Sequence, residues 1–453
     1  MALANYTTDT IVAISTPPGR GGIGVVRLSG PEARAIAEPL LRLNHTLEPG
    51  RARFTRILEA GTGTVLDEAV VTFFAAPSSY TSEDVVEIAA HGAPVLLDYI
   101  LRRCVAAGAR LAEPGEFTQR AFLAGRLDLT QAEAVHSLID ATTLQQARTA
   151  AQQLGGGLSL QLQPVKRRLI ELIAALETGV DFAEDDLDLM ADDEIARRMR
   201  EIESQLQTFE ESFAYGRVLR EGFRLAIVGR PNAGKSSLFN RLIGRDRAIV
   251  TAQPGTTRDP VSEGIDINGI PVELIDTAGL RTTVDEAESY GIAKSREAMA
   301  EADVILLVIA ANEELHDEDL AAIEGASERK LIVVVNKIDL VANPVPQLKV
   351  EYLPASAVDG TGIERLRQAV LEALQAVPVS VDSVPLTNLR QHGAITMALQ
   401  ALRSAQTGMQ NEVPHEMLLL DLQECLNALD ALTGTTHTEE ILNLIFGTFC
   451  IGK

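Results

Sequence analysis

Residues 229–236 read Gly229-Arg230-Pro231-Asn232-Ala233-Gly234-Lys235-Ser236, a complete GxxxxGK[ST] loop. An apolar run at 223–228 precedes it and a helical pattern at 237–243 follows, which is the strand-loop-helix setting the motif needs. Asn232, Ala233, Gly234 and Ser237 belong to the same cradle, whose glycines let successive N–H groups wrap a β-phosphate beside a helix N-terminus. Lys235 can reach the β and γ oxygens, and the Ser236 hydroxyl can ligate Mg²⁺. Downstream, the strand pattern 272–275 ends in Asp276-Thr277-Ala278-Gly279. Asp276 is suited to hold Mg²⁺ through water, and Gly279 to offer its N–H to the γ-phosphate. Between them Gly255-Thr256-Thr257-Arg258-Asp259 can place a threonine hydroxyl on the metal.

Base choice follows from Asn336-Lys337-Ile338-Asp339 at the end of the strand pattern 331–335. A carboxylate at Asp339 accepts from guanine N1–H and the exocyclic amine; adenine lacks that donor pair, so GTP is favoured over ATP. Ser356-Ala357, after a strand expected at 350–353, supplies the remaining purine-edge loop. These strings in this order on strand ends specify a GTPase. Leu280 stands where Ras-like enzymes carry the water-orienting glutamine. Asp285, Glu286 and Glu288 are the acidic candidates for that task, and spacing does not choose among them.

The elements that position these residues belong to an alternating strand and helix region at 223–377. Ile267-Asn268-Gly269-Ile270 predicts a type I′ turn, so the sheet is mostly parallel with one antiparallel edge. Ahead of this region the first 120 residues read as mixed α/β, with strands at 10–15, 24–28, 69–74 and 85–89 and helices at 31–43 and 95–107. Gly19-Arg20-Gly21-Gly22-Ile23-Gly24 satisfies GxGxxG but joins two strand-like runs instead of opening a helix, so a glycine loop is expected there and not a dinucleotide site. Helical spacing takes over at 118–123, 130–153, 158–178 and 191–217, and it returns at 386–407, 416–432 and 438–446 after a linker at 378–386. The acidic segment 181–194 reads as a solvated loop or helix start. An α/β domain inserted into a helical one is the simplest organisation.

Composition sets the outer bounds. The 453 residues suffice for two to four domains, and 46% apolar with 23% charged is ordinary for a folded protein. Forty Lys and Arg against 63 Asp and Glu give a net charge of −23, which excludes a protein that coats nucleic acid. Cys104, Cys425 and Cys450 have no paired spacing and fit a reducing compartment. Neither a signal segment nor a spanning segment is expected, which points to the cytoplasm. Cys450-Ile451-Gly452-Lys453 has the wrong last residue for a prenylation box.

Motifs spread over nearly the whole chain resemble the MnmE (TrmE) family of tRNA modification GTPases. They are 19–30, Pro114-Gly115-Glu116-Phe117-Thr118, 127–135, the inserted GTPase and the CxGK end. The resemblance implies four segments: an α/β domain for tetrahydrofolate binding and dimerisation at 1–120, a helical domain at 121–216, a Ras-like P-loop GTPase domain at 217–380, and the rest of the helical domain at 381–453. It further implies a cytoplasmic homodimer that works on tRNA with an FAD-dependent MnmG (GidA) partner. Together they would add an aminomethyl or carboxymethylaminomethyl group to C5 of the wobble uridine, from a 5-formyl or 5,10-methylene tetrahydrofolate donor. Arg27, Glu87, Arg126 and Lys453 match the folate positions; cations suit the glutamate carboxylates and a carboxylate suits the pterin edge. Asn232 matches a K⁺ ligand, with Thr251, Gln253 and Thr256 in the loop completing the coordination, so that K⁺-dependent dimerisation of the GTPase domains drives hydrolysis. Glu288 matches the glutamate that orients water, Thr257 the Mg²⁺-linked threonine, and Cys450 a family cysteine that is a catalytic or a packing thiol. Two departures bear on the folate site: Arg126 stands where lysine is common, and the stretch around His91 is richer in alanine. The competing reading is a regulatory GTPase switch on the ribosome, but 386–453 lacks the GxxG clamp or lysine-rich face such proteins append.

Overall fold

Residues Val65–Phe74 bury Ala69, Val71 and Phe73 while alternate neighbours face outward, the period of a strand with one covered face. The computed structural model that shows this describes residues 9–181, 190–243, 262–276, 302–325, 330–341, 348, 350–373, 384–435 and 439–452. The chain divides into two compact units, Met1–His136 with Asp430–Lys453, and Ser137–Leu429.

In the first unit six strands, β1 (Ile11–Ile14), β2 (Gly21–Ser29), β3 (Ala52–Leu58), β4 (Val65–Phe74), β5 (Val85–Gly92) and β6 (Arg110–Leu111), form one sheet in the order β3-β4-β5-β2-β1-β6. All pairings are antiparallel except β1 with β6. Helices α1 (Ala33–Ala37) and α2 (Pro94–Ala106) bury Ile36, Leu97 and Ile100 with Val26, Leu28, Val71, Phe73 and Ile88 from the strands. The GxGxxG segment lies between β1 and β2 and runs into β2, as expected of a glycine loop between strands. The helix expected at 31–43 is shorter: it stops at Ala37, continues as a 3-10 turn through Pro39, and ends at Leu40. Strand β3 was not anticipated, because its alternation places Arg53 and Arg56 among its apolar residues. Helix α3 (Glu116–Leu123) and the start of α4 (Leu129–Asp140) share a core with the last described helix and the turn after it through Phe122, Leu129, Leu442, Phe446 and Phe449.

The second unit combines helices with a second sheet. The single helix expected at 130–153 is two, α4 and α5 (Leu144–Leu154), because Thr143 starts the second with a reciprocal capping box to Gln146. Helices α6 (Gly157–Asp181) and α7 (Asp192–Glu221) lead to the sheet, and α7 carries Asp192, Asp193 and Glu194 in its first turn, where a helix favours negative charge. Strands β7 (Phe223–Val228), β8 (Ser262–Ile267), β9 (Ile270–Asp276), β10 (Val304–Ala310), β11 (Lys330–Asn336) and β12 (Tyr352–Pro354) lie in the order β12-β11-β10-β7-β9-β8. Only β8 is antiparallel, at the edge. The last strand begins two residues later than the expected 350–353. Asn268 and Gly269 both have positive φ, 52° and 89°, as a type I′ turn requires. Helices α8 (Lys235–Ile243), α9 (Asp317–Gly325) and α10 (Ile363–Ala373) accompany the sheet, whose two faces bury separate apolar clusters. Beyond it run α11 (Leu389–Gln410), α12 (His415–Thr433) and, in the first unit, α13 (Glu439–Phe446). No helix among the described residues is long and apolar enough to cross a membrane.

Candidate functional site

The phosphate loop leaves β7 through Gly229, whose φ of 142° and closeness to Val308 O, 2.3 Å from where a Cβ would stand, leave no room for a side chain. Asn232 follows with φ of 63° and Gly234 with φ of 94°. These angles curl the loop into α8, which begins at Lys235 and so presents its unpaired N-terminal N–H groups at the loop. The Lys235 ammonium donates to Gly229 O at 2.7 Å and Arg230 O at 2.8 Å, which holds it over the loop. Asn232, Ser236 and Ser237 are exposed. A hydroxyl at a helix start beside a lysine fits a Mg²⁺-bound triphosphate.

Asn336 ties this loop to the base-binding segments. Its side chain is buried; Nδ2 donates to Ala233 O at 3.1 Å while Oδ1 accepts from Ala357 N at 3.1 Å. A Cβ on Gly234 would stand 2.1 Å from that Nδ2, so the glycine is required by the asparagine as well as by φ. Lys337 adopts φ of 66°, which turns the chain into the short 3-10 helix holding Asp339. Asp339 is exposed, open to a base that would pair with it. Ser356 is fully buried, and its hydroxyl accepts from Asp359 N at 3.3 Å. Glu313 lies between Arg230, 3.5 Å away, and Lys337, 4.0 Å away. Asp276 is the last residue of β9, in register with Ile227 of β7. Thr251, Gln253, Thr256, Thr257, Thr277, Ala278, Gly279, Glu288 and Lys453 fall outside the described residues.

A second constellation stands on the N-terminal sheet. Arg27 on β2 and Glu87 on β5 are register partners, and their side chains pair at 2.7 Å. The Arg27 guanidinium sits 5.6 Å from the Phe117 ring centre and 5.7 Å from that of Tyr80. Arg126 approaches the same Tyr80 ring at 5.2 Å and donates to Tyr80 O. Two of the four expected folate residues, Arg27 and Arg126, therefore meet at one tyrosine that the sequence did not single out, and Glu87 joins them through Arg27. The signal was absent locally, because Tyr80 is 53 residues from Arg27 and 46 from Arg126. A partly exposed guanidinium and carboxylate beside aromatic rings fit a planar, polar-edged, anionic ligand.

The Pro114-to-Thr118 motif supports this constellation from behind. Gly115, at φ of 68°, packs where a Cβ would lie 2.6 Å from Phe446 O. Glu116, 1% exposed, takes hydrogen bonds from Arg110 at 2.6 Å and Arg120 at 2.9 Å, and Arg120 also reaches Asp9 and Glu83. Burial alone would push the Glu116 carboxyl up, but the hydrogen bonds from Arg110 and Arg120 outweigh it and hold it below the usual carboxylate range. At the chain's end Ile451 bridges to Pro114, and Gly452 O accepts from the Ser15 hydroxyl at 3.1 Å. Cys450 is exposed, whereas burial pushes the Cys104 and Cys425 thiols up to about 12.

Known proteins resemble the chain along its length. Residues 10–126 match the family described as GTP-binding protein TrmE N-terminus, and residues 129–450 match the MnmE helical domain. The tRNA modification GTPase MnmE of Koribacter versatilis (strain Ellin345) is 54% identical over 450 residues, spanning 98% of this chain and 99% of that protein. The enzyme of the same name from Acetivibrio thermocellus is 40% identical over 463 residues, spanning 99% and 100%. That from Aquifex aeolicus is 41% identical over 448 residues, spanning 98% and 100%.

Proposed function

The chain belongs to the MnmE family of tRNA modification GTPases, and on that premise we propose how its residues divide the work. It is a GTP-hydrolysing enzyme of tRNA modification. In the proposed reaction it acts in the cytoplasm with an FAD-dependent MnmG-type partner. The pair adds an aminomethyl or carboxymethylaminomethyl group to C5 of the wobble uridine.

The GTPase half rests on one observation, the Asn336 amide that joins the phosphate loop to the Ala357 loop and so aligns the phosphate and base ends of one nucleotide site. Lys235 binds the β and γ oxygens, Ser236 and Thr257 hold Mg²⁺, and Asp339 reads guanine. Asn232 with Thr251, Gln253 and Thr256 takes K⁺, whose charge serves where another enzyme would use an arginine. Glu288 positions the attacking water. Dimerisation of the GTPase segments, residues 217–380, completes this arrangement.

The one-carbon half is assigned to Arg27, Glu87, Arg126 and Lys453. A bound tetrahydrofolate would supply the transferable carbon; Arg27 and Arg126 hold its carboxylates and Glu87 accepts from its amino-pyrimidine edge. The pairing of Arg27 with Glu87, and the approach of Arg27 and Arg126 to Tyr80, support that assignment. Anchoring of Gly452 beside β1, the strand paired with β2, supports a part for the terminal lysine. The outward row formed by Val25, Ala89, Val70 and Phe54 across four strands, with Phe54 69% exposed, supports pairing of two copies through this sheet.

Nucleoside mass spectrometry of tRNA from a deletion strain tests the whole reading: the wobble modification should vanish and return with the gene. Unchanged tRNA would instead favour the ribosomal switch. Hydrolysis should be much faster in KCl than in NaCl, and equal rates would remove the cation assignment.

A further inference from the structure

We infer that the N-terminal unit holds a second ligand site, a cavity on the helix-covered side of its sheet that takes a small aliphatic acid by its carboxylate. The cavity has a volume of about 400 Å³, within the roughly 300–1,000 Å³ of small-molecule sites. Three elements wall it: α1 with the 3-10 turn that follows, the turn between β3 and β4, and the end of α2. Ile36, Pro39, Leu40 and Leu58 give it aliphatic sides, and no aromatic ring is among the described residues that line it. It is separate from the Arg27–Glu87 constellation. Ile36 packs with Val26 and Leu28 in the core beneath the sheet, whereas Arg27 alternates with them onto the other face.

One charge in the wall is unmatched. Arg103 lines the cavity, and its Nε is buried with no hydrogen-bond partner among the described residues. The charges around it are engaged elsewhere: Arg102 pairs with Asp98 at 2.8 Å, Arg34 with Glu38 at 2.8 Å, and Glu59 accepts from the Thr62 hydroxyl at 2.7 Å. A buried guanidinium N–H without an acceptor costs stability, so this one is poised for an acceptor that arrives from outside. A carboxylate supplies two oxygens in the geometry of the guanidinium fork, and the aliphatic sides receive its chain. The space is held open in advance. Ala60 N donates to the Tyr99 hydroxyl of α2 at 2.9 Å, and Gly63 N to Glu59 O at 3.0 Å, which fixes the turn beside the helix. Gly61 and Gly63 have φ of 84° and 70°, and nothing lies within 4 Å of where a Cβ would stand on either.

Calorimetric titration of the full chain with straight-chain acids from acetate to octanoate tests this. Affinity should rise about fourfold per methylene until the cavity is full. Octylamine, with the same chain and the opposite charge, should bind about tenfold or more weakly than octanoate. Arg103→Met should weaken octanoate binding about tenfold or more, yet leave the unfolding midpoint of the free protein unchanged or raised, because a buried unsatisfied N–H has gone. An arginine that only braced the fold would lower that midpoint and leave binding alone. Ala107→Phe, at an exposed lining position, should block octanoate by filling the space while Arg103 stays in place. Saturating 5-formyltetrahydrofolate should leave the octanoate titration as it was. Octanoate binding no tighter than acetate, parent-like binding by Arg103→Met or Ala107→Phe, or displacement of octanoate by the folate would each overturn the second site. None of these results would bear on the residues assigned to tetrahydrofolate.

Discussion

At the residue scale, the two charged positions with the clearest consequences are Asp339 and Glu116, and they differ in what surrounds them. Asp339 is exposed at the end of the base loop, so replacing it should leave the fold alone and change only what the site reads. Asp339→Asn puts an amide donor where guanine presents donors. GDP binding should weaken about 100-fold, the loss of a charge-assisted pair worth about 3 kcal/mol, while a xanthine nucleotide, with a carbonyl in place of the amine, should gain. Competition titration with both nucleotides checks this; parallel losses would mean that Asp339 only supports the loop. Glu116 is the opposite case, 1% exposed between Arg110 and Arg120. Its carboxyl is held below the usual range, so the stability it contributes is present above about pH 4.5 and is lost as pH falls through the lowered folded value. Glu116→Gln should cost about 3 kcal/mol at neutral pH, because it leaves buried guanidinium charge short of a partner. The gap in urea midpoint between parent and variant should narrow at pH 3.5, and a gap that stays constant would deny that the charge matters.

At the element scale, the hairpin β8–β9 follows residues 251–260 and leads into Thr277, so its position bears on both segments assigned to metal and γ-phosphate. Its turn is latched to the start of α5. Gly269 O accepts from the Thr143 hydroxyl at 2.7 Å, and a Cβ on Gly269 would stand 2.5 Å from Gln145 Cβ. Gln146 donates to Arg220 O at 3.0 Å, adding the end of α7 to the same joint. Gly269→Ala should cost about 1–2 kcal/mol from its φ of 89° and the crowding, and Thr143→Val about 1 kcal/mol as a lost cap. Both break one joint, so the double variant should lose less than the sum in thermal unfolding; strict additivity would show the latch to be incidental. This joint also marks where sequence reading stops. The hairpin turn was legible because Asn-Gly is a local signal, and the phosphate loop because its residues are contiguous. The break before α5 was missed because Thr143 and Gln146 interrupt an apolar period that continues on both sides. Tyr80 was missed because its partners come from β2, from the start of α3 and from the loop after it, and no local spacing encodes that meeting.

At the scale of the whole molecule, a net charge of −23 and two compact units raise the question of which ligand stabilises what. The three free thiols lie where they can report it. Cys450 is exposed and should react at once with a thiol reagent. Cys104 lies fully buried in the N-terminal unit and Cys425 fully buried in the unit that holds the phosphate loop, and with thiols pushed up to about 12 neither reacts until its surroundings open. Ligand at 100 times its Kd adds about 2.7 kcal/mol to the unit that binds it, which slows labelling through unfolding of that unit about 100-fold. GTP with Mg²⁺ should therefore protect Cys425 and spare Cys104, and 5-formyltetrahydrofolate should do the reverse. Peptide mapping of the labelled chain over time separates the two sites. Selective protection would locate each ligand in its own unit without relying on turnover. Equal protection of both thiols by either ligand would show that the units open as one cooperative body, so that occupancy of one site is felt as stability throughout the other.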